Sequence, residues 1–134
     1  MKFNGIIEKK LRIIEENISD IREWDIQTLS QLKDSSLLQK ATERALQVSI
    51  EVMIDVSERI LALNKVQPAN TSAENIKKLE KLGVIKSAKD YADMIRFRNF
   101  IVHRYEKIDV EIVYTIIKNK LTLFEQFIDE IRSW

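Results

Sequence analysis

Apolar residues recur at Ile7, Leu11, Ile14, Ile18 and Ile21, in alternating steps of four and three. A helix turns about 100° per residue, so these side chains form one stripe. Glu8, Lys9, Lys10, Glu15 and Glu16 fall on the opposite, solvated side. A half-buried strand would need a period of two, which this stretch lacks. Helical spacing returns at Leu38, Ala41, Ala45, Val48, Val52 and Val56, and again at Ile112, Ile116, Leu123, Phe127 and Ile131. Only two glycines and one proline interrupt 134 residues, which leaves little for the tight turns of a β-rich fold. These features predict an all-α chain: an antiparallel bundle of four to five helices, forming a single domain over residues 1–134.

Taken in order, Trp24 closes the first pattern and the periodicity fails over residues 25–34. Thr28, Ser30, Asp34, Ser35 and Ser36 offer cap and turn chemistry there, with a short helical turn expected over 29–32. A long helix is expected from 35 to 64, with Arg44, Gln47, Glu51 and Asp55 along one flank. Pro68 stops it. Thr71 or Ser72 caps a short helix that runs to Leu82, and Gly83 suits the left-handed residue that ends it. Ser87-x-x-Asp90 has the spacing of a capping box, with Asp in place of Glu, and would start the next helix. Fraying is expected over 104–107, because Asp109 reads as the N-cap of a final helix from 110 to 132.

The side-chain inventory narrows the function. With no cysteine and one histidine, neither a thiolate site nor a multi-histidine metal site can form within one chain. No metal or cofactor is therefore expected. The formal charge of +1 argues against a broad basic face for nucleic acid, and DNA is not expected as a partner. It leaves room for a local basic pocket. Nothing resembles a signal peptide or a membrane span, so a soluble, cytoplasmic protein is expected.

The lone histidine lies within Arg98-Asn99-Phe100-Ile101-Val102-His103-Arg104-Tyr105. On a helix Arg98 falls in the arc of Tyr91, Met94, Ile95, Ile101 and Val102, an expensive place for a permanent charge. It must either pair with an acid, for which Glu51 and Asp55 are candidates, or reach into a cleft. Asn99 and His103 form a second line beside it, and Tyr105 lies two turns on from Arg98. The plain reading is a surface histidine at a helix end and a packing tyrosine. The chemical reading is phosphodiester cleavage by the 2′-hydroxyl of RNA. His103 would move the proton, Arg98 would hold the phosphate, and Asn99 would orient the imidazole or bond the phosphate. Acid–base chemistry usually takes two proton-transfer groups. One histidine per chain therefore points to a homodimer with two octets at one cleft.

Arg-Asn-x-x-x-His-x-Tyr, followed by Ile108-Asp109, resembles the signature of the HEPN domains, specifically the HepT-type toxins. In bacteria and archaea these are paired with a minimal nucleotidyltransferase antitoxin in HepT–MntA toxin–antitoxin systems. Glu43-Arg44-Ala45-Leu46-Gln47 and Lys81-Leu82-Gly83-Val84-Ile85 also read like that family. The resemblance implies a HEPN-like bundle and a metal-independent endoribonuclease toxin of a type II/VII-like pair. Arg98 and His103 would be catalytic, with Asn99 in a polar supporting role. Tyr105 would be the residue that the antitoxin modifies with AMP. Glu51 and Arg104 are candidates for support, the first facing Arg98 and the second facing the added phosphate. Two other readings stand beside this one. The first is a non-catalytic module that presents nucleotide or phosphate to a nucleotidyltransferase partner. The second is a purely structural bundle in which an internal acid neutralises Arg98.

Overall fold

The computed structural model describes residues 4–102 and 109–134, with Ile101 and Val102 described by their backbone alone. Among the described residues there are seven α-helices and no strand. They are α1 (Gly5–Glu23), α2 (Leu29–Lys33), α3 (Ser36–Leu63), α4 (Ser72–Leu82), α5 (Ala92–Val102), α6 (Val110–Asn119) and α7 (Leu121–Ser133), with a 3-10 turn over Ala88–Tyr91 leading into α5. The all-helical bundle is the expected one, with more pieces than the periodicity suggests. None of the described helices is long and apolar enough to cross a membrane.

The stripe on α1 is the buried face: Ile7, Leu11, Ile14, Ile18 and Ile21 are all at most 3% exposed. Asn4 starts the helix by accepting from the Ile6 and Ile7 amides at 3.0 and 3.1 Å. The short α2 exists because Thr28 and Gln31 cap each other reciprocally, at 3.2 and 2.9 Å. Gly83 ends α4 at φ +80°, as its position predicts.

On α3 the inner face is broader than the predicted stripe, and rotated from it. Of the expected residues only Ala45 and Val56 are fully buried, and Gln39, Thr42, Ser49 and Ser57 join Leu46, Ile50 and Met53 inside. This helix packs chiefly against α1 and α4 and also touches α2 and α5, so a narrow apolar seam would not serve it. The buried hydroxyls of Ser49 and Ser57 donate to the Ala45 and Met53 carbonyls, each at 2.8 Å, which makes them cheap to bury.

The predicted last helix is interrupted at Lys120, whose backbone (φ −121°, ψ −3°) leaves the helical region. The Lys120 side chain reaches Asp93 of α5 at 3.1 Å. Phe127 and Ile131 are buried as expected, but Leu123 is only half-buried and Ile112 is 41% exposed. The Ser87 capping box does not form, and Ser87 makes no side-chain cap bond. Asp90 accepts instead from Gln126 of α7 at 2.9 Å, so a tertiary bond replaces the local one.

Candidate functional site

The helix that carries Arg98 is fixed at its start. Tyr91 is fully buried, and its hydroxyl donates to Glu130 of α7. Gln126 donates to that same hydroxyl at 3.2 Å, and the second Glu130 oxygen accepts from the Lys86 amide at 2.6 Å. The Tyr91 ring meets Phe127 edge-on, with centroids 5.5 Å apart. Burial, together with the carboxylate of Glu130, pushes the Tyr91 phenol well above its ordinary range, so it stays a neutral donor. Met94, Ile95 and Phe97 continue the buried arc into the core.

Arg98 follows on that arc, and the structure leaves it half-buried. Its Nε is buried and has no hydrogen-bond partner. Its Nη1 donates to the adjacent Asn99 Oδ1 at 3.2 Å. Neither proposed acid meets it. Asp55 is held by Lys10 at 2.5 Å and Arg59 at 3.3 Å. These two cations keep its carboxyl below the usual range against the opposing effect of burial. Glu51 accepts from Gln47 at 3.1 Å, one turn away on α3. No described carboxylate forms an ion pair with Arg98, so its neutralisation by Glu51 or Asp55 is not what the fold does.

Asn99 is exposed beside Arg98. His103, Arg104 and Tyr105 lie outside the described residues, as does the fraying expected over 104–107. Between α5 and α6 runs a groove of about 510 Å³. Phe97 and Ile116 lie in it, with the exposed Phe100 (39%) and Ile112 (41%). Ile112 reaches this surface because α6 turns Val113, Ile116 and Ile117 inward instead. Sequence reasoning missed the Tyr91–Glu130 anchor. The only hint was a tyrosine in a run of apolar positions, and its partner lies 39 residues away.

A half-buried guanidinium with an unbonded donor, an amide at its side and no ion pair to a described carboxylate has the chemistry to take an anion. The chain belongs to the family described as ribonuclease HepT-like, whose model matches residues 8–131. It is 28% identical over 131 residues to the tRNA nuclease HepT of Aphanizomenon flos-aquae, across 96% of this chain and 89% of that one. It is 28% identical over 132 residues to the mRNA nuclease HepT of Shewanella oneidensis, across 97% and 98%. Its fold is similar to that of the tri-AMPylated Shewanella oneidensis HEPN toxin in complex with MNT antitoxin. That match has a TM-score of 0.88 and 28% identity, over 98% of this chain and 100% of the other.

Proposed function

We propose that this chain is the endoribonuclease toxin of a toxin–antitoxin pair, a cytoplasmic homodimer whose two octets share one RNA-cutting cleft. The observation that carries this reading is Arg98, a half-buried guanidinium whose Nε has no partner and whose Nη1, among the described residues, donates to Asn99. A phosphate is the partner that such a fork lacks. Arg98 would bind the scissile phosphate and stabilise the charge that grows on its oxygens. Asn99 would steady the guanidinium through the 3.2 Å bond.

His103 takes the proton from the 2′-hydroxyl, whose oxygen attacks the adjacent phosphorus. The bond to the 5′-oxygen then breaks, and a protonated group returns a proton to that leaving oxygen. The products are a 2′,3′-cyclic phosphate and a 5′-hydroxyl. The His103 of the second copy supplies the other proton-transfer group, and the exposed Phe100 is a candidate for the surface between copies.

The partner is a nucleotidyltransferase antitoxin that transfers AMP to Tyr105. The added phosphodiester would compete for Arg98 or Arg104 and repel the RNA backbone, and the nucleoside would fill the cleft.

The test is RNA cleavage by purified, unmodified protein in excess EDTA, with end-group analysis. His103→Ala should lower the rate by about 10²–10⁴-fold. Unchanged activity in that variant would sink the nuclease reading and favour the binding module. Incubation with the partner and ATP should add the mass of AMP to the Tyr105 peptide. If Tyr105→Phe loses the label while the partner still silences the nuclease fully, inhibition is by docking alone.

A further inference from the structure

A small pocket of about 210 Å³ opens between α4 and α5 and ends at Asn99. It is smaller than the roughly 300–1,000 Å³ clefts that enclose whole cofactors. Ile76 of α4 and Ile95 of α5, both buried, line it with alkyl surface, and Ala73 and Ala92 add methyl groups. The charged residues around it are Lys77, Lys89 and Arg96; no described carboxylate lines it. Lys77 bonds Glu74 at 3.3 Å and Arg96 bonds Asp93, each within a turn of its own helix. Such exposed pairs hold weakly against solvent, so an arriving anion can displace them. Lys89 forms no ion pair among the described residues. Asn99 turns its Oδ1 toward Arg98 and carries in its amide Nδ2 a donor that can meet a ligand.

We propose that this pocket is an RNA subsite, taking one nucleobase beside the scissile phosphate while Lys77, Lys89 and Arg96 hold the neighbouring phosphates. The proposal rests on the ribonuclease reading of Arg98 and His103. An apolar lining alone would suit any small hydrophobe, and a cationic rim alone any polyanion. A single-stranded nucleotide has both parts, a flat and weakly hydrated base and a phosphate on either side. The formal charge of +1 also requires that any grip on RNA be local, and here three cations gather at a pocket whose described lining holds no carboxylate. The alkyl walls offer no hydrogen-bond code, so the subsite selects by size and unpaired character rather than by base identity. That makes it a site for looped or single-stranded RNA.

The full-length His103→Ala protein, which removes cleavage, allows binding of a short single-stranded RNA to be followed by fluorescence anisotropy across a salt series. Lys77→Glu with Lys89→Glu should weaken binding at least about ten-fold and flatten the salt dependence by about one unit per cation removed. Ala73→Trp, at an exposed position, should fill the pocket and weaken binding while leaving the salt slope unchanged. One abasic nucleotide beside the cleavage site should weaken binding to the His103→Ala protein, with no further effect once Ala73→Trp is present. Unchanged circular dichroism melts will establish that each variant folds. Parent-like affinity and slope in both sets of variants would overturn the subsite while the nuclease stands. If wild-type protein neither binds nor cuts RNA, the failure lies with the ribonuclease reading, and the subsite falls with it.

Discussion

Arg132 and Arg98 carry the same side chain on opposite kinds of surface. Arg132 of α7 donates to Glu8 at 2.5 Å and to Glu15 at 2.7 Å, both on α1, and so pins the two ends of the chain together. Those hydrogen bonds raise the pKa of Arg132 and lower that of Glu15. Arg98 of α5 keeps a buried Nε without a partner and, among the described residues, donates to an amide rather than an acid. A guanidinium whose donors are all taken by acids holds a fold together. One that is half-buried with an unbonded donor weakens the fold slightly and stays ready for an anion.

The sharpest way to break that contrast is Arg98→Lys. An ammonium cannot reproduce the planar fork, so RNA cleavage should fall about 10²–10³-fold with the melting curve unchanged. Retention of cleavage within two-fold, measured on one oligonucleotide, would remove Arg98 from the site. Next in size is Phe100→Asp combined with Ile112→Asp on the α5–α6 groove. If the copies join there and share the site, sedimentation should show monomers, and cleavage should drop about 10²-fold through loss of the second proton-transfer group. A fully active monomer would mean that one octet suffices.

Smaller effects test the stability side. Arg98→Met removes a buried, unbonded donor and should raise the unfolding free energy by about 1 kcal/mol while abolishing activity. Arg132→Met should do the reverse, lowering stability by up to about 1 kcal/mol with cleavage intact. Denaturant titrations on both proteins check the opposite signs, and equal signs would erase the distinction. The smallest expected effect is on pH. The Glu15 carboxyl is held below its ordinary value of 4.5, chiefly by its hydrogen bond to Arg132. Its contribution is therefore present above that value and lost as pH falls through the lower, folded one. Wild-type stability should decline more steeply below about pH 4.5 than that of Arg132→Met, whose Glu15 has no such bond. Parallel acid profiles would show that this ion pair adds nothing.

Much of the bundle was legible because helical periodicity is a local property. The α1 stripe, the left-handed Gly83 and the Asp109 cap depend on residues within a turn or two, and each sits as its spacing predicts. What failed was what depends on distant neighbours. Ser87-x-x-Asp90 had the spacing of a capping box, but Asp90 bonds Gln126, and the helix after Asp109 breaks where Lys120 reaches Asp93. On α3, Ser49 and Ser57 go inside because several helices surround that face, which no single helical wheel contains. The same division runs through the site. The sequence by itself determined that Arg98 lies on an apolar arc next to Asn99, since helical angles follow from numbering. Only the tertiary structure decided that Asp55 faces Lys10, that Glu51 stays with Gln47, and that neither of them pairs with Arg98. An ion pair is set by where two helices cross, and a chain's order does not encode that distance.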